Sequence, residues 1–195
     1  MHEATLLADH LKAALLFAAK DDIRFYLNGV LLTDRRMVAT CGSMLITLDE
    51  PALVGWPDVI VPRDMIEIAL RFNSKALQSF PLTFDGSMLQ LGLQKLPAKP
   101  VDGRFPDWRR VLPKSIEAPS SWWVDPNLAR RIPQATRLLT GPAEIITYVA
   151  APFRGAKCDQ GSLAFAIGDR AFGVIAGMRK MVDVEAVVKY RLAEA

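Results

Sequence analysis

Histidine and cysteine are scarce in this chain, with two of each among 195 residues. His2 and His10 stand near the start without an HExxH string, and no Ser/His/Asp or Cys/His arrangement is at hand to activate a nucleophile. Cys41 and Cys158 lack CxxC or CxxH spacing, so they read as reduced thiols rather than a disulfide framework or a zinc site. A GxxxxGK phosphate loop is missing as well. The carboxylate pairs Asp21-Asp22 and Asp49-Glu50 fall at element ends, where turn and cap roles suit them. These gaps predict a protein that is not an enzyme and holds neither cofactor nor metal.

Long apolar runs are missing too. Ala13 to Ala19 and Ala171 to Met178 are the longest, far short of the about 18 to 20 residues that cross a bilayer. Met1-His2-Glu3 offers no basic stretch, and Asp9 and Lys12 interrupt any signal core, so a cytoplasmic protein with no membrane partner is expected. What is present fits a folded globular chain: 51% hydrophobic and 23% charged residues, enough for one large or two small domains. The net charge of +3 is uneven. Residues 1–112 carry 13 basic and 13 acidic side chains, and residues 113–195 carry 11 and 8. That excess is compatible with a polyanionic partner if the basic side chains share a face.

Leu7, Leu11, Ala14, Leu15 and Ala18 fall at helical spacing and predict a helix over Ala4 to Lys20. Ile23 to Leu32 reads as a strand with Asn28-Gly29 at a bulge, and Arg35 to Leu48 as a strand pair broken at Cys41-Gly42-Ser43. Val59-Ile60-Val61 is a short buried strand leading through Pro62 into a helix over Arg63 to Arg71, whose Arg63, Glu67 and Arg71 share one face. Pro81 to Phe84 and Met88 to Leu93 flank Asp85-Gly86 as a hairpin. Prolines crowd residues 97–119, predicting an extended linker. Asp125 then caps a helix opened by Pro126, with Leu128, Ile132, Ala135 and Leu139 on one stripe and Pro133 expected to kink or shorten it. Ile145 to Val149, Ser162 to Ile167 and Ala171 to Ala176 read as strands, and Asp183 to Ala193 as a last amphipathic helix.

Four strings carry a family resemblance: Ile23-Arg24-Phe25-Tyr26-Leu27-Asn28-Gly29, Met37-Val38-Ala39-Thr40-Cys41-Gly42, Val59-Ile60-Val61-Pro62-Arg63 and Val101-Asp102-Gly103-Arg104-Phe105-Pro106-Asp107-Trp108-Arg109-Arg110-Val111-Leu112-Pro113. With the order of elements, they resemble the bacterial β sliding clamp, the DNA polymerase III processivity factor family. Residues 4–113 are similar to its middle domain, and Val174-Ile175-Ala176-Gly177-Met178-Arg179 resembles its C-terminal peptide. The resemblance implies an α+β DNA-clamp fold with helices on one face of antiparallel sheets. It implies a full domain over residues 1–113, then a reduced C-terminal domain with a terminal helix over residues 114–195; the family's first domain has no counterpart. In the family about a dozen helix-plus-strands half-units close a ring around duplex DNA. Three per chain imply a tetramer, and a fourth supplied by the C-terminal helix implies a trimer.

The resemblance further implies a DNA replication role as a sliding clamp that tethers DNA polymerase and other clamp-motif proteins and is loaded by a separate clamp-loader ATPase. Basic side chains on the helices would hold double-stranded DNA through phosphates: Lys12, Lys20, Arg24, Arg63, Arg71, Arg130, Arg131 and Arg137. Each is also what an ordinary solvated helix face carries. Phe25 and Tyr26 resemble loop aromatics that touch DNA, and as strand residues they fit cross-strand packing equally. A peptide-binding pocket would be lined by Leu27, Thr40, Gly42, Leu45, Pro106, Arg110, Val111, Val174, Ile175, Met178 and Arg179, or these residues form an interface between units. Ser43 and Met44 stand where the family usually has His and Arg, and Ala176-Gly177 where it has Met-Pro, which implies a different peptide preference. The alternative is a clamp-like adaptor or decoy that binds clamp-motif peptides or another clamp without encircling DNA.

Overall fold

Alternation of burial makes His2–Leu7 a strand, β1, with Leu6 buried and Glu3, Thr5 and Leu7 exposed. The computed structural model describes residues 1–72, 78–93, 95–112, 124–141, 146–152 and 161–177. The first helix, α1 (Ala8–Phe17), is shorter at both ends than the expected Ala4 to Lys20. The reason is tertiary: β1 pairs antiparallel with β6 (Ser79–Phe84) along its whole length, from His2 opposite Phe84 to Leu7 opposite Ser79.

The strand expected over Ile23 to Leu32 also divides. Phe25–Leu27 form one 3-10 turn, and only Gly29–Thr33 are extended as β2. Asn28 imposes this by a reciprocal bridge. Its Oδ1 accepts from the Asp22 N–H at 3.0 Å, and its Nδ2 donates to the Asp22 carbonyl at 2.8 Å. An amide side chain that satisfies backbone groups in this way competes with a strand ladder.

The next elements follow their local signals: β3 (Arg36–Thr40), β4 (Met44–Asp49), β5 (Val59–Pro62), α2 (Arg63–Phe72), β6, β7 (Leu89–Leu91) and β8 (Leu96–Ala98). Residues 99–112 run irregularly apart from a 3-10 turn at Trp108–Val111. The Asp125 carboxylate accepts from the Asn127 N–H at 2.8 Å and opens α3 (Pro126–Ala129), and α4 (Arg131–Leu139) follows after a break at Arg130. Pro133 has no N–H for the Ala129 carbonyl, so a continuous helix would leave that acceptor bare. Three strands complete the described chain: β9 (Ile146–Pro152), β10 (Gly161–Ile167) and β11 (Ala171–Ala176). The helix expected at Asp183 to Ala193 and the boundary expected at residue 113 lie outside the described residues.

All strand pairs are antiparallel and form two sheets, ordered β1-β6-β7-β8 and β5-β2-β3-β4-β11-β10-β9. The order exposes a repeat. Each of β1-α1-β2-β3-β4 and β5-α2-β6-β7-β8 lends its first strand to the sheet of the other. A third helix-plus-strands unit, α4-β9-β10-β11, joins the first through β4 and β11, from Met44 opposite Ile175 to Leu48 opposite Ala171. The main core lies between the sheets and the helices and includes Leu11, Ala14, Phe17, Val30, Ile46, Ile66 and Phe165. A second cluster of Leu31, Val38, Leu45 and Ile60 is covered by Phe105 and Trp108 of the irregular segment.

Candidate functional site

A polar cleft of about 500 Å³ opens where α1 ends, edged by Lys20, Asp22, Cys41, Arg63, Arg130, Arg131 and Gln134. Its position follows from a deficit in α1, which has no basic residue in its last turn to meet the terminal carbonyls. Distant arginines meet them instead. Arg63 donates to the carbonyls of Leu15, Ala18 and Ala19 at 2.9 to 3.4 Å and pairs with Glu67 at 2.8 Å. Arg131 donates to the Leu16 carbonyl at 3.0 Å. Two of the arginines expected to contact phosphate therefore also hold α1 against α2 and α4. Lys20 and Arg130 are exposed at the same cleft.

The other basic residues lie apart. Lys12 is exposed on α1 and paired with Asp9 at 2.8 Å, a contact that surface screening makes weak. Arg71 is exposed at the end of α2, and Arg137 is exposed on α4. Arg24 grips Asp22 at 2.7 Å, and the carboxyl of Asp22 is drawn down to about 2 by the Arg24 side chain first and the Arg24 backbone N–H next. The same pair raises the pKa of the Arg24 guanidinium. Beside it, Phe25 is 55% exposed and meets Tyr26 edge-on at 5.8 Å, so Phe25 sits on a turn rather than in a strand.

The expected peptide pocket is divided by strand alternation. Leu45 and Val174 are opposite one another and share a face, whereas Ile175 belongs to the helix-side core. Leu27, Thr40, Leu45, Val174 and Ile175 are all buried, and Leu45 is enclosed in the Phe105 and Trp108 cluster together with Val111. The Thr40 hydroxyl donates to the Met44 carbonyl at 2.8 Å and accepts from the Gly42 N–H at 3.0 Å, which closes the β3–β4 turn. Gly42, Pro106 and Arg110 are exposed, and Met178 and Arg179 lie outside the described residues.

Sequence reading did not single out Phe105 or Trp108 as anchors, although both stand in the most specific string. Trp108 is buried under Arg109, whose guanidinium lies 4.3 Å from its ring centre. Near it a second concavity of about 390 Å³ runs between Val59, Ile60, Phe84, Val101 and Arg104. The capping role of Arg63 and Arg131 has no signal of its own in the sequence, because a helix expected to run to Lys20 already carries a cation at its end. Among the described residues no group of His, Cys, Asp and Glu could hold a metal ion, and no helix is long and apolar enough to cross a membrane.

No family model matches the chain. Curated relatives do. A beta sliding clamp of Caulobacter vibrioides is 36% identical over 107 residues, 48% of this chain and 29% of that protein. The beta sliding clamp of Escherichia coli K12 is 34% identical over 113 residues, 54% of this chain and 31% of that protein. The match thus spans less than a third of these relatives' length. A DNA polymerase sliding clamp from Pseudomonas aeruginosa superposes with a TM-score of 0.59 at 19% identity, over 91% of this chain and 66% of that one. The DNA polymerase III beta subunit of Thermotoga maritima does so with a TM-score of 0.54 at 13% identity, over 92% of this chain and 66% of that one. Similar by sequence over about half its length and in fold across most of it, this chain resembles the beta sliding clamps.

Proposed function

We propose that the chain is a DNA sliding clamp: copies assemble around duplex DNA and tether a polymerase, without catalysing a reaction. The observation that carries the reading is the seam between β4 and β11, where two helix-plus-strands units join edge to edge and continue one sheet. Repetition of such a seam builds a curved wall with its helices on one side. The cleft at the end of α1 would bring Lys20 and Arg130 to the phosphates, while Arg63 and Arg131 fix the helices that carry them. Phosphate contact without base readout allows sliding. Tethering then works through effective concentration, since a polymerase that lets go of its primer end rebinds without a new bimolecular encounter. A separate ATPase would load the ring in the cytoplasm. Polymerase and other clients would dock by a short peptide at the exposed rim of Gly42, Pro106 and Arg110, over the buried Leu45 and Val174.

The test is retention of the protein on nicked circular DNA after incubation with a clamp-loader ATPase and ATP, followed by linearisation. The expected outcome is co-elution with circles and release on cutting. Equal loss from circles and linear DNA overturns the ring. If the protein then still binds a fluorescent clamp-motif peptide, the adaptor reading takes its place.

A further inference from the structure

Helix α1 ends on carbonyls, and a helix end of that sign repels anions. Here the repulsion is cancelled, because the Arg63 Nη1 takes up the carbonyls of Leu15, Ala18 and Ala19 and the Arg131 Nη1 takes up that of Leu16. A guanidinium donates from all three of its nitrogens. Glu67 engages the Nε of Arg63, which leaves the Arg63 Nη2 and the Nε and Nη2 of Arg131 without a protein partner among the described residues. Both side chains are half-buried in the lining of the cleft and fixed by the helix end they cap, so these remaining donors are preorganised. Lys20 and Arg130 line it as well and are exposed, and no carboxylate of the described residues pairs with them or with Arg131. Asp22, the acid of the lining, is taken by Arg24. Leu15, Leu16, Ala18 and Ala19 supply apolar wall, and a recess of that kind focuses the field of its cations. Its volume of about 500 Å³ lies in the range of small-molecule sites.

We propose that this cleft binds a short polyphosphate, either inorganic or the tail of a nucleoside triphosphate, as a small-molecule site in its own right. Adjoining phosphoryl groups bring several negative charges into one recess, where guanidinium edges donate to their oxygens in pairs. A duplex offers its phosphates singly from a convex rod. Such a rod meets the exposed Lys20 and Arg130 and leaves the remaining donors of the half-buried Arg63 and Arg131 unused. The inference goes beyond the clamp reading and does not depend on it, although the two share Lys20 and Arg130.

Cys41, half-buried in the lining, is a reporter of occupancy. The full chain is alkylated with N-ethylmaleimide at low salt without magnesium, and peptide mass mapping follows Cys41 apart from Cys158. Pyrophosphate or inorganic triphosphate at about 1 mM should slow the Cys41 reaction about fivefold or more, whereas sodium chloride of equal ionic strength leaves it unchanged. Calorimetric titration supplies the Kd. Lys20→Ala and Arg130→Ala each weaken it about fivefold or more, while Lys99→Ala, at an exposed cation outside the lining, has no effect. Arg63 and Arg131 are left in place because they cap α1, and melting curves verify that the variants are folded. Adenosine triphosphate that binds tighter than inorganic triphosphate identifies a nucleotide as the occupant, equal binding identifies the phosphates alone, and both support the site. Absence of heat and of protection at about 10 mM overturns it, as does binding that leaves Cys41 unprotected, protection by sulfate equal to that by pyrophosphate, or a loss in Lys99→Ala equal to that in Lys20→Ala. Retention on circular DNA by a chain that binds no polyphosphate sinks this site alone, and polyphosphate binding by a chain that slips off circles sinks the ring alone.

Discussion

Asp22 and Arg24 are the most tightly coupled charges of the surface loop. With the Asp22 carboxyl held at about 2 by Arg24, it is ionised at neutral pH. The sign follows from a folded pKa below the ordinary 3.8: whatever order the pair lends the loop is complete above that value and is lost as pH falls toward about 2. Arg24→Ala should return the Asp22 titration toward 3.8, read from carboxyl chemical shifts by NMR; an unmoved midpoint would show that the backbone alone holds it. Gly42 lies under the same guanidinium. Its φ is +88°, and a Cβ there would stand 2.8 Å from an Arg24 nitrogen. Gly42→Ala should therefore cost about 1 kcal/mol or more in urea unfolding, and Arg24→Ala should relieve only the steric part.

At the scale of elements, α1 is fastened at both ends. At its start His10 meets Glu50 at 2.7 Å, both side chains buried, which ties the helix to the exit of β4. His10→Ala leaves the Glu50 side chain buried without this hydrogen-bond partner and should cost about 1 to 3 kcal/mol by denaturant unfolding. His10→Ala/Glu50→Leu should recover much of that loss. At the seam, Gly173 has the Leu45 carbonyl 2.5 Å and a Phe165 ring carbon 2.1 Å from where a Cβ would stand. Gly173→Ala should therefore loosen β11 from β4, at a cost of about 1 to 3 kcal/mol, with faster amide exchange along β11 than along β2 as its signature. Signals local in sequence made α2, the Asp85-Gly86 hairpin and the broken helix after Asp125 legible. The strand β1 was not, because its pairing with β6 comes from far along the chain, and the Phe25 turn was hidden because Asn28 acts through Asp22. The basic residues of the cleft were legible as cations, but the capping duty of Arg63 and Arg131 depends on which carbonyls the fold leaves bare.

For the whole molecule, salt is the lever on the DNA contact. If Lys20 and Arg130 touch phosphate, replacing each by Ala should flatten the slope of log affinity against log salt by about 0.9 per lost contact. The loss should be the same on any DNA sequence, measured by fluorescence anisotropy on duplexes of differing composition. An unchanged slope would remove those two residues from the interface.

The seam also sets a timetable for synthesis. The rim of β4 is made early, yet the strand that covers it, Ala171–Ala176, leaves the ribosome long after. Until then a nascent chain carries an open hydrogen-bonding edge of apolar residues, an invitation to aggregate with neighbouring chains. Truncated products ending before Ala171 should consequently partition into inclusion bodies while the full chain stays in solution.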